Sequence, residues 1–117
     1  MAIKYLSFVD MKLHSEYFEL IKNGKKTIEV RCYDDKRKQL KIGDTIRFTK
    51  LFDHKNTIYA KVIGLKKFDT FEELFSYYPM SAFGDPEKTV ADMLEQVNVL
   101  YSKRRQEAGA LAIVLEV

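Results

Sequence analysis

Gly24-Lys25-Lys26-Thr27-Ile28-Glu29-Val30-Arg31 places a glycine turn and two lysines directly ahead of a run in which apolar and ionisable side chains alternate. Successive side chains of an extended chain point to opposite faces, so Ile28, Val30 and Cys32 share one face while Thr27, Glu29 and Arg31 share the other. The segment reads as a strand with one face for a core and one polar face. Two roles are open to the polar face: Glu29 and Arg31 pair with neighbouring charges on a half-exposed strand, or they face a ligand. Tyr33 lies in the same register.

Working upstream, Leu13, Tyr17, Leu20 and Ile21 recur at helical spacing and predict a short helix that stops at Asn23-Gly24. Before it, Lys4 to Val9 is rich in aromatic and branched residues and predicts a strand. Downstream, the charged stretch Asp34 to Lys38 reads as a loop, and Gly43-Asp44 as a turn into a strand over Thr45 to Leu51. A hairpin through Asp53 to Asn56 leads to a strand over Ile58 to Leu65, in which Ile58, Ala60 and Val62 oppose Tyr59, Lys61 and Ile63. Three consecutive strands predict an antiparallel meander.

The spacing of Thr70 and Glu73 is that of a capping box, so a helix is expected from Phe71 to near Pro79. Asp85-Pro86 predicts a second helix start, with Asp85 as cap and a core stripe of Val90, Met93, Leu94, Val97 and Tyr101 running to about Arg104. Lys103, Arg104 and Arg105 then fall where they favour the helix dipole. Leu111 to Val117 is nearly all apolar, as expected of a strand covered on both faces. The elements add up to an α+β fold, a small mixed β-barrel whose strand order the sequence leaves open.

A chain of 117 residues, 46% hydrophobic and 32% charged, fits one ordered domain over residues 1–117. The single cysteine, Cys32, has no internal disulfide partner and lies on the apolar register, so a buried thiol in a reducing, cytoplasmic setting is expected. Lys4 and Asp10 interrupt the N-terminal apolar run before a secretion signal could form, and the run Ala110 to Leu115 is far too short to span a bilayer. His14 and His54 stand far apart without ligand-spaced partners, and Gly24 follows a helix where a phosphate-cradling loop would open one. No metal, no cofactor and no membrane partner are expected.

Charge is distributed unevenly. Residues 22–55 hold eleven basic and five acidic side chains, a local +6 in a molecule of net charge +3, so the remainder carries −3. That asymmetry points to an anionic partner on the basic side. For Lys36, Arg37 and Lys38 alone, a solvated loop is an equally natural role.

The order of GKKTIEVR after an amphipathic helix, Lys41-Ile42-Gly43-Asp44, Phe68-Asp69-Thr70-Phe71-Glu72-Glu73-Leu74 and a closing Gly109-Ala110-Leu111-Ala112-Ile113 resembles the ASCH-domain family over nearly the whole chain. The family's hallmark glycine, lysine, glutamate and arginine are spaced as Gly24, Lys26, Glu29 and Arg31 are here. The resemblance implies a mostly antiparallel PUA-like barrel of about five to six strands with flanking helices, and a cleft beside the glycine turn. It also implies RNA or a nucleotide-like ligand, contacted by Gly24, Lys25, Lys26, Thr27, Glu29, Arg31, Tyr33, Arg37 and Lys38. In that reading Lys25, Lys26 and Arg31 engage phosphate, Glu29 accepts hydrogen bonds from a base edge and Tyr33 offers a stacking face. Some small members are instead amidohydrolases acting on N4-acetylcytidine. In that alternative Lys26 and Glu29 are the catalytic residues, with an acidic partner from Asp85 or Glu87. The hydrolases carry threonine where Glu29 stands, so a threonine nucleophile does not carry over.

Overall fold

A strand that is apolar on both faces must be covered on both, and this requirement sets the topology. Strand β5 (Ala110–Glu116) has Leu111, Ile113 and Leu115 on one face and Ala110, Ala112 and Val114 on the other. In the computed structural model, which describes residues 8–117, β5 lies inside a five-stranded sheet of order β1-β3-β4-β5-β2. The other strands are β1 (Phe8–Leu13), β2 (Ile28–Cys32), β3 (Thr45–Lys50) and β4 (Asp53–Phe68). Strands β1 and β3 pair in parallel, and the remaining pairs are antiparallel.

The expected meander is therefore only half present. β3 and β4 form a hairpin, but β2 pairs with β5 and not with β3. The reason is burial: an interior place between β4 and β2 sets β5 between the two apolar clusters, whereas β2, with its charged face, occupies an edge. The opening strand runs to Leu13, and the first part of its expected span, residues 4–7, lies outside the described residues.

Two apolar clusters sandwich β5. One joins Leu111, Ile113 and Leu115 to Met11, Ile46, Phe48, Ala60 and Val62 of the sheet and to Phe18 and Ile21 of helix α1 (Ser15–Lys22). The other joins Ala110, Ala112, Ile28 and Cys32 to α2 (Phe71–Tyr77), to the 3₁₀ turn Met80–Phe83 and to α3 (Val90–Leu100). Cys32 is buried there, and burial pushes its thiol pKa up, as suits a packing residue. A register irregularity between Val62 and Gly64 lets β4 serve both clusters, with Ala60 and Val62 in the first and Phe68 in the second.

Local chemistry accounts for the differences from expectation. Leu13 ends β1 and does not belong to α1, whose buried residues are Phe18 and Ile21 while Tyr17 and Leu20 are half-buried. The hairpin turns at Leu51-Phe52, with Phe52 at φ 64° and almost fully exposed, and Asp53 to Asn56 fall at a register shift in the ladder. The expected loop contains a 3₁₀ turn over Arg37–Gln39.

The Thr70 cap holds as read, accepting the Glu73 N–H. Helix α3 begins later than Asp85-Pro86, because Thr89 and Asp92 make a reciprocal capping box while the Asp85 carbonyl closes a turn with Lys88 N–H. It stops at Leu100, since Tyr101 is extended and Ser102 caps a separate short helix α4 (Lys103–Gln106). Lys103, Arg104 and Arg105 thus belong to α4 and do not close α3. No helix among the described residues is long and apolar enough to cross a membrane.

Ile113 is 0% exposed at the centre of the first cluster, whereas Ile63 is 45% exposed on the opposite side of β4 from Val62. Ile113→Ala is expected to cost about 2–5 kcal/mol and Ile63→Ala no more than about 0.5 kcal/mol in urea unfolding. Equal losses would contradict this arrangement of the sheet.

Candidate ligand cavity between the sheet edges

The two edges of the sheet, β1 and β2, are left without strand partners on their outer sides, and the site forms between them. Tyr33 N–H bonds the Gly109 carbonyl across the β2–β5 pair, and Leu115 N–H bonds the Thr27 carbonyl. Antiparallel ladders alternate, so odd-numbered residues of β2 spend their backbone groups on β5 and even-numbered ones point to the free edge. Val30 N–H is one of these, and it donates to Glu29 Oε1 at 3.2 Å. On the opposite edge, Leu51 N–H occupies the Leu13 carbonyl, and the Lys12 carbonyl accepts from Arg31 Nη2 at 3.0 Å. A single guanidinium bridges the gap.

Glu29 and Arg31 face the first apolar cluster, opposite Ile113 and Leu111 of β5. Arg31 Nε and Nη2 donate to Glu29 Oε2 at 3.1 and 2.8 Å, and Lys26 Nζ stands 3.3 Å from Oε1. Lys26 and Glu29 are each only 6% exposed. Burial works to raise the Glu29 carboxyl pKa, but Lys26, Arg31 and the hydrogen bonds to it win and hold it below the ordinary carboxylate range. The same pairing raises the Arg31 guanidinium against its own desolvation.

Lys26 owes its place to the end of α1. The Leu20 carbonyl accepts both Lys25 and Lys26 N–H, and Gly24 makes the turn at φ 75°. Gly84, at φ 83°, lets the chain pass close above: a Cβ there would stand 3.1 Å from Lys26 Cβ and 3.0 Å from Leu20 Cδ1. The Lys26 ammonium lies 4.7 Å from the centre of the Tyr17 ring. Tyr17 in turn donates its hydroxyl to Gln96 Oε1 at 2.8 Å, and burial together with the Asp85 charge pushes its pKa up to about 12.

These groups line a cavity of roughly 210 Å³. Tyr17, Phe71, Phe75 and Tyr101 give it aromatic walls, Leu13, Leu51, Met93, Val97 and Leu100 add apolar ones, and Lys12, His14, Lys26, Glu29, Arg31 and Gln96 supply the polar groups. Among the described residues no group of three or more His, Cys, Asp or Glu side chains is placed to hold a metal.

Lys26, Glu29 and Arg31 of the hallmark spacing are thus brought together, whereas Thr27 of the polar strand face and the other candidates are not part of the cavity lining. Lys25 and Thr27 are exposed, and Gly24 contributes the turn alone. Tyr33 packs against the first apolar cluster, with Lys38 and Lys67 each 5.6 Å from its ring centre. Lys38 also approaches Asp35 at 3.8 Å. Arg37 lines a neighbouring groove together with Arg31. Glu87 is exposed, and Asp85 sits beside Lys88 at 3.6 Å outside the cavity lining.

Tyr17 and Gln96 are the site residues that sequence reading missed. Tyr17 looked like core because helical spacing gives core and cavity walls the same signature. Gln96, a polar residue beside Val97 on the apolar stripe of α3, was a legible exception. Lys12 takes part through its backbone carbonyl, for which no side-chain signal exists.

Comparison with known proteins places this geometry in a family. The ASCH domain profile matches residues 11–117. The hypothetical protein PH0355 shares 33% identity over 94% of this chain and 98% of its own, with a TM-score of 0.83. Protein PF0455 from Pyrococcus furiosus, at 29% identity, matches with a TM-score of 0.75 over 94% and 96% of the two chains. ASCH from Zymomonas mobilis shares the fold, with a TM-score of 0.64 at 22% identity over 92% of this chain and 66% of that one. No curated protein matches the chain. The curled five-stranded sheet with its flanking helices is the PUA-like fold, and the chain belongs to the ASCH domain family.

Proposed function

We propose that this domain binds RNA or a nucleotide by taking one unpaired base into the cavity between β1 and β2. The observation that carries the reading is the Lys26–Glu29–Arg31 cluster buried at a cavity with aromatic walls. Aromatic faces stack a base, and polar groups fixed beside them select its edge. Glu29 accepts hydrogen bonds from Val30 N–H and from two donors of Arg31, and Lys26 pairs with it electrostatically at 3.3 Å. Glu29 therefore acts as the group that orients Lys26 and Arg31, in place of the direct base contact expected from the sequence. The Lys26 ammonium and the Arg31 guanidinium are donors only, so the matching ligand edge is one of acceptors, such as a ring nitrogen flanked by a carbonyl.

The same contacts weigh against water activation at Glu29. A carboxylate held ionised this firmly is a weak base, whereas general base catalysis favours a pKa near the working pH. Hydrolysis of an acylated nucleoside is kept as an outcome of the test.

Titration of labelled protein with four nucleosides and N4-acetylcytidine should shift amides of Lys26 to Arg31 and of Gln96 to Tyr101. Lys26→Met, which leaves the Glu29–Arg31 pair in place, should weaken binding about 10-fold to 100-fold, the worth of a hydrogen bond to a charged group. Shifts elsewhere, or an unaffected Lys26→Met, would overturn the base-binding reading. Acetate released by the wild type and lost in Lys26→Met would replace it with hydrolysis.

The pH dependence has a definite sign. Because the folded pKa of Glu29 lies below its ordinary value of 4.5, its contribution to stability is complete above that pH and fades as pH falls through the lower folded value. Glu29→Gln should cost roughly 3–5 kcal/mol at pH 7 by stranding two buried cations, with the gap to wild type narrowing at pH 3. A gap of constant size in urea unfolding at the two pH values would show that Glu29 is not the ionised anchor.

A further inference from the structure

Next to the base-sized cavity, across Arg31, lies a wider groove that the reading above leaves unused. The two share Lys12 and Arg31 in their walls, so they abut at that guanidinium. Beyond it the groove is walled by Lys36, Arg37 and Arg47, with Thr49 and Thr57 supplying hydroxyl groups. Acidic groups leave it largely uncompensated. Asp10 is engaged by Arg47 at 2.6 Å, Asp34 accepts the Arg37 backbone N–H and approaches Arg105 at 3.6 Å, and Glu29 is paired with Lys26 and Arg31.

Arg37 is the informative residue. Its Nε and Nη1 are buried and have no hydrogen-bond partner among the described residues. Buried donors are ordinarily satisfied, and an unsatisfied guanidinium nitrogen is costly. Burial and the nearby Arg31 charge both push the Arg37 pKa down from its ordinary value, so two like charges are held together in a partly desolvated wall. Folding alone gives no reason to keep that arrangement. A tetrahedral oxyanion in the groove would meet the part of Arg37 that lines it and neutralise the repulsion between the two guanidinium groups, and arginine forks match phosphate oxygens geometrically.

We infer that Arg31 and Arg37 form a phosphate subsite contiguous with the base cavity, so that the ligand is recognised as a nucleotide, base and phosphate together. The inference rests on the base-binding reading for the identity of the ligand, but the phosphate site can be tested separately. Arg31 is shared: Glu29 and the Lys12 carbonyl hold its Nε and Nη2, and the side chain lines both the cavity and the groove. A free mononucleotide and a phosphodiester within RNA both present phosphate oxygens to the guanidinium groups, and comparison of monophosphates with dinucleotides tells them apart.

The test compares each nucleoside with its 5′- and 3′-monophosphates and with dinucleotides at constant ionic strength, for wild type, Arg37→Gln and Arg37→Lys. The phosphate should improve wild-type affinity about 10-fold or more, as hydrogen bonds to charged groups do. Arg37→Gln should reduce that gain to near nothing, Arg37→Lys should restore part of it, and the affinity for nucleosides should stay constant. A preference for dinucleotides over both monophosphates would assign the subsite to an RNA strand; the reverse would assign it to a free nucleotide. The Arg37 Nε–Hε resonance should also move on titration with inorganic phosphate alone. If nucleosides fail to bind while phosphate moves that resonance, the subsite stands and the base-binding reading falls. Nucleotides that gain nothing over nucleosides in wild type, an equal gain in Arg37→Gln, or an Arg37 resonance unmoved by phosphate and nucleotide alike would overturn the subsite.

Discussion

The site rests on a gap in the backbone hydrogen-bonding of the sheet. β1 and β2 come within reach of each other without pairing, and Arg31 spans them by bonding Glu29 on its own strand and the Lys12 carbonyl on the other. Two strands that paired fully would seal the sheet and leave no cavity. Two strands with nothing between them would expose unpaired backbone groups at the mouth of an apolar core. One charged side chain, held by the Glu29 carboxylate, resolves both demands.

Such an arrangement makes poor sense as a device for stability alone. Taking a carboxylate, an ammonium and a guanidinium out of water carries a penalty of several kcal/mol per ion, and well-packed apolar side chains in their place are often no worse. What charges provide and apolar groups cannot is a set of fixed donors in a partly dry cavity. Electrostatic interactions there are stronger than at an open surface, and under the proposed base-binding function the donors are oriented in advance of the ligand. Lys26, clasped between Glu29 and the Tyr17 ring with its backbone tied to the end of α1, is positioned in this way.

The basic bias of residues 22–55 acquires a spatial meaning through the fold. Arg31 from β2, Lys36 and Arg37 from the following loop and Arg47 from β3 converge with Lys12 of β1 on the groove beside the cavity. Lys25 remains exposed, and Lys38 turns toward Asp35 and Tyr33. Local excess of charge marks a region of the sequence, but only the pairing of β1 with β3 decides which of its cations line one groove.

The sequence by itself determined the α+β class, the two-faced strand with Glu29 and Arg31 in one register, the Thr70 cap and the double-sided burial of the last strand. Each of these follows from short-range rules, namely side-chain alternation, capping chemistry and apolar patterning, that act within a few residues. Tertiary structure decided that β2 pairs with β5, that Tyr17 and Gln96 wall the cavity while Tyr33 packs elsewhere, and that Thr89 outcompetes Asp85 for the start of α3. It also decided that Glu29 is spent on Arg31, Lys26 and the Val30 N–H. Those outcomes depend on which segments distant in the chain meet, and helical spacing or a polar strand face looks the same whether it meets a core, a cavity or solvent.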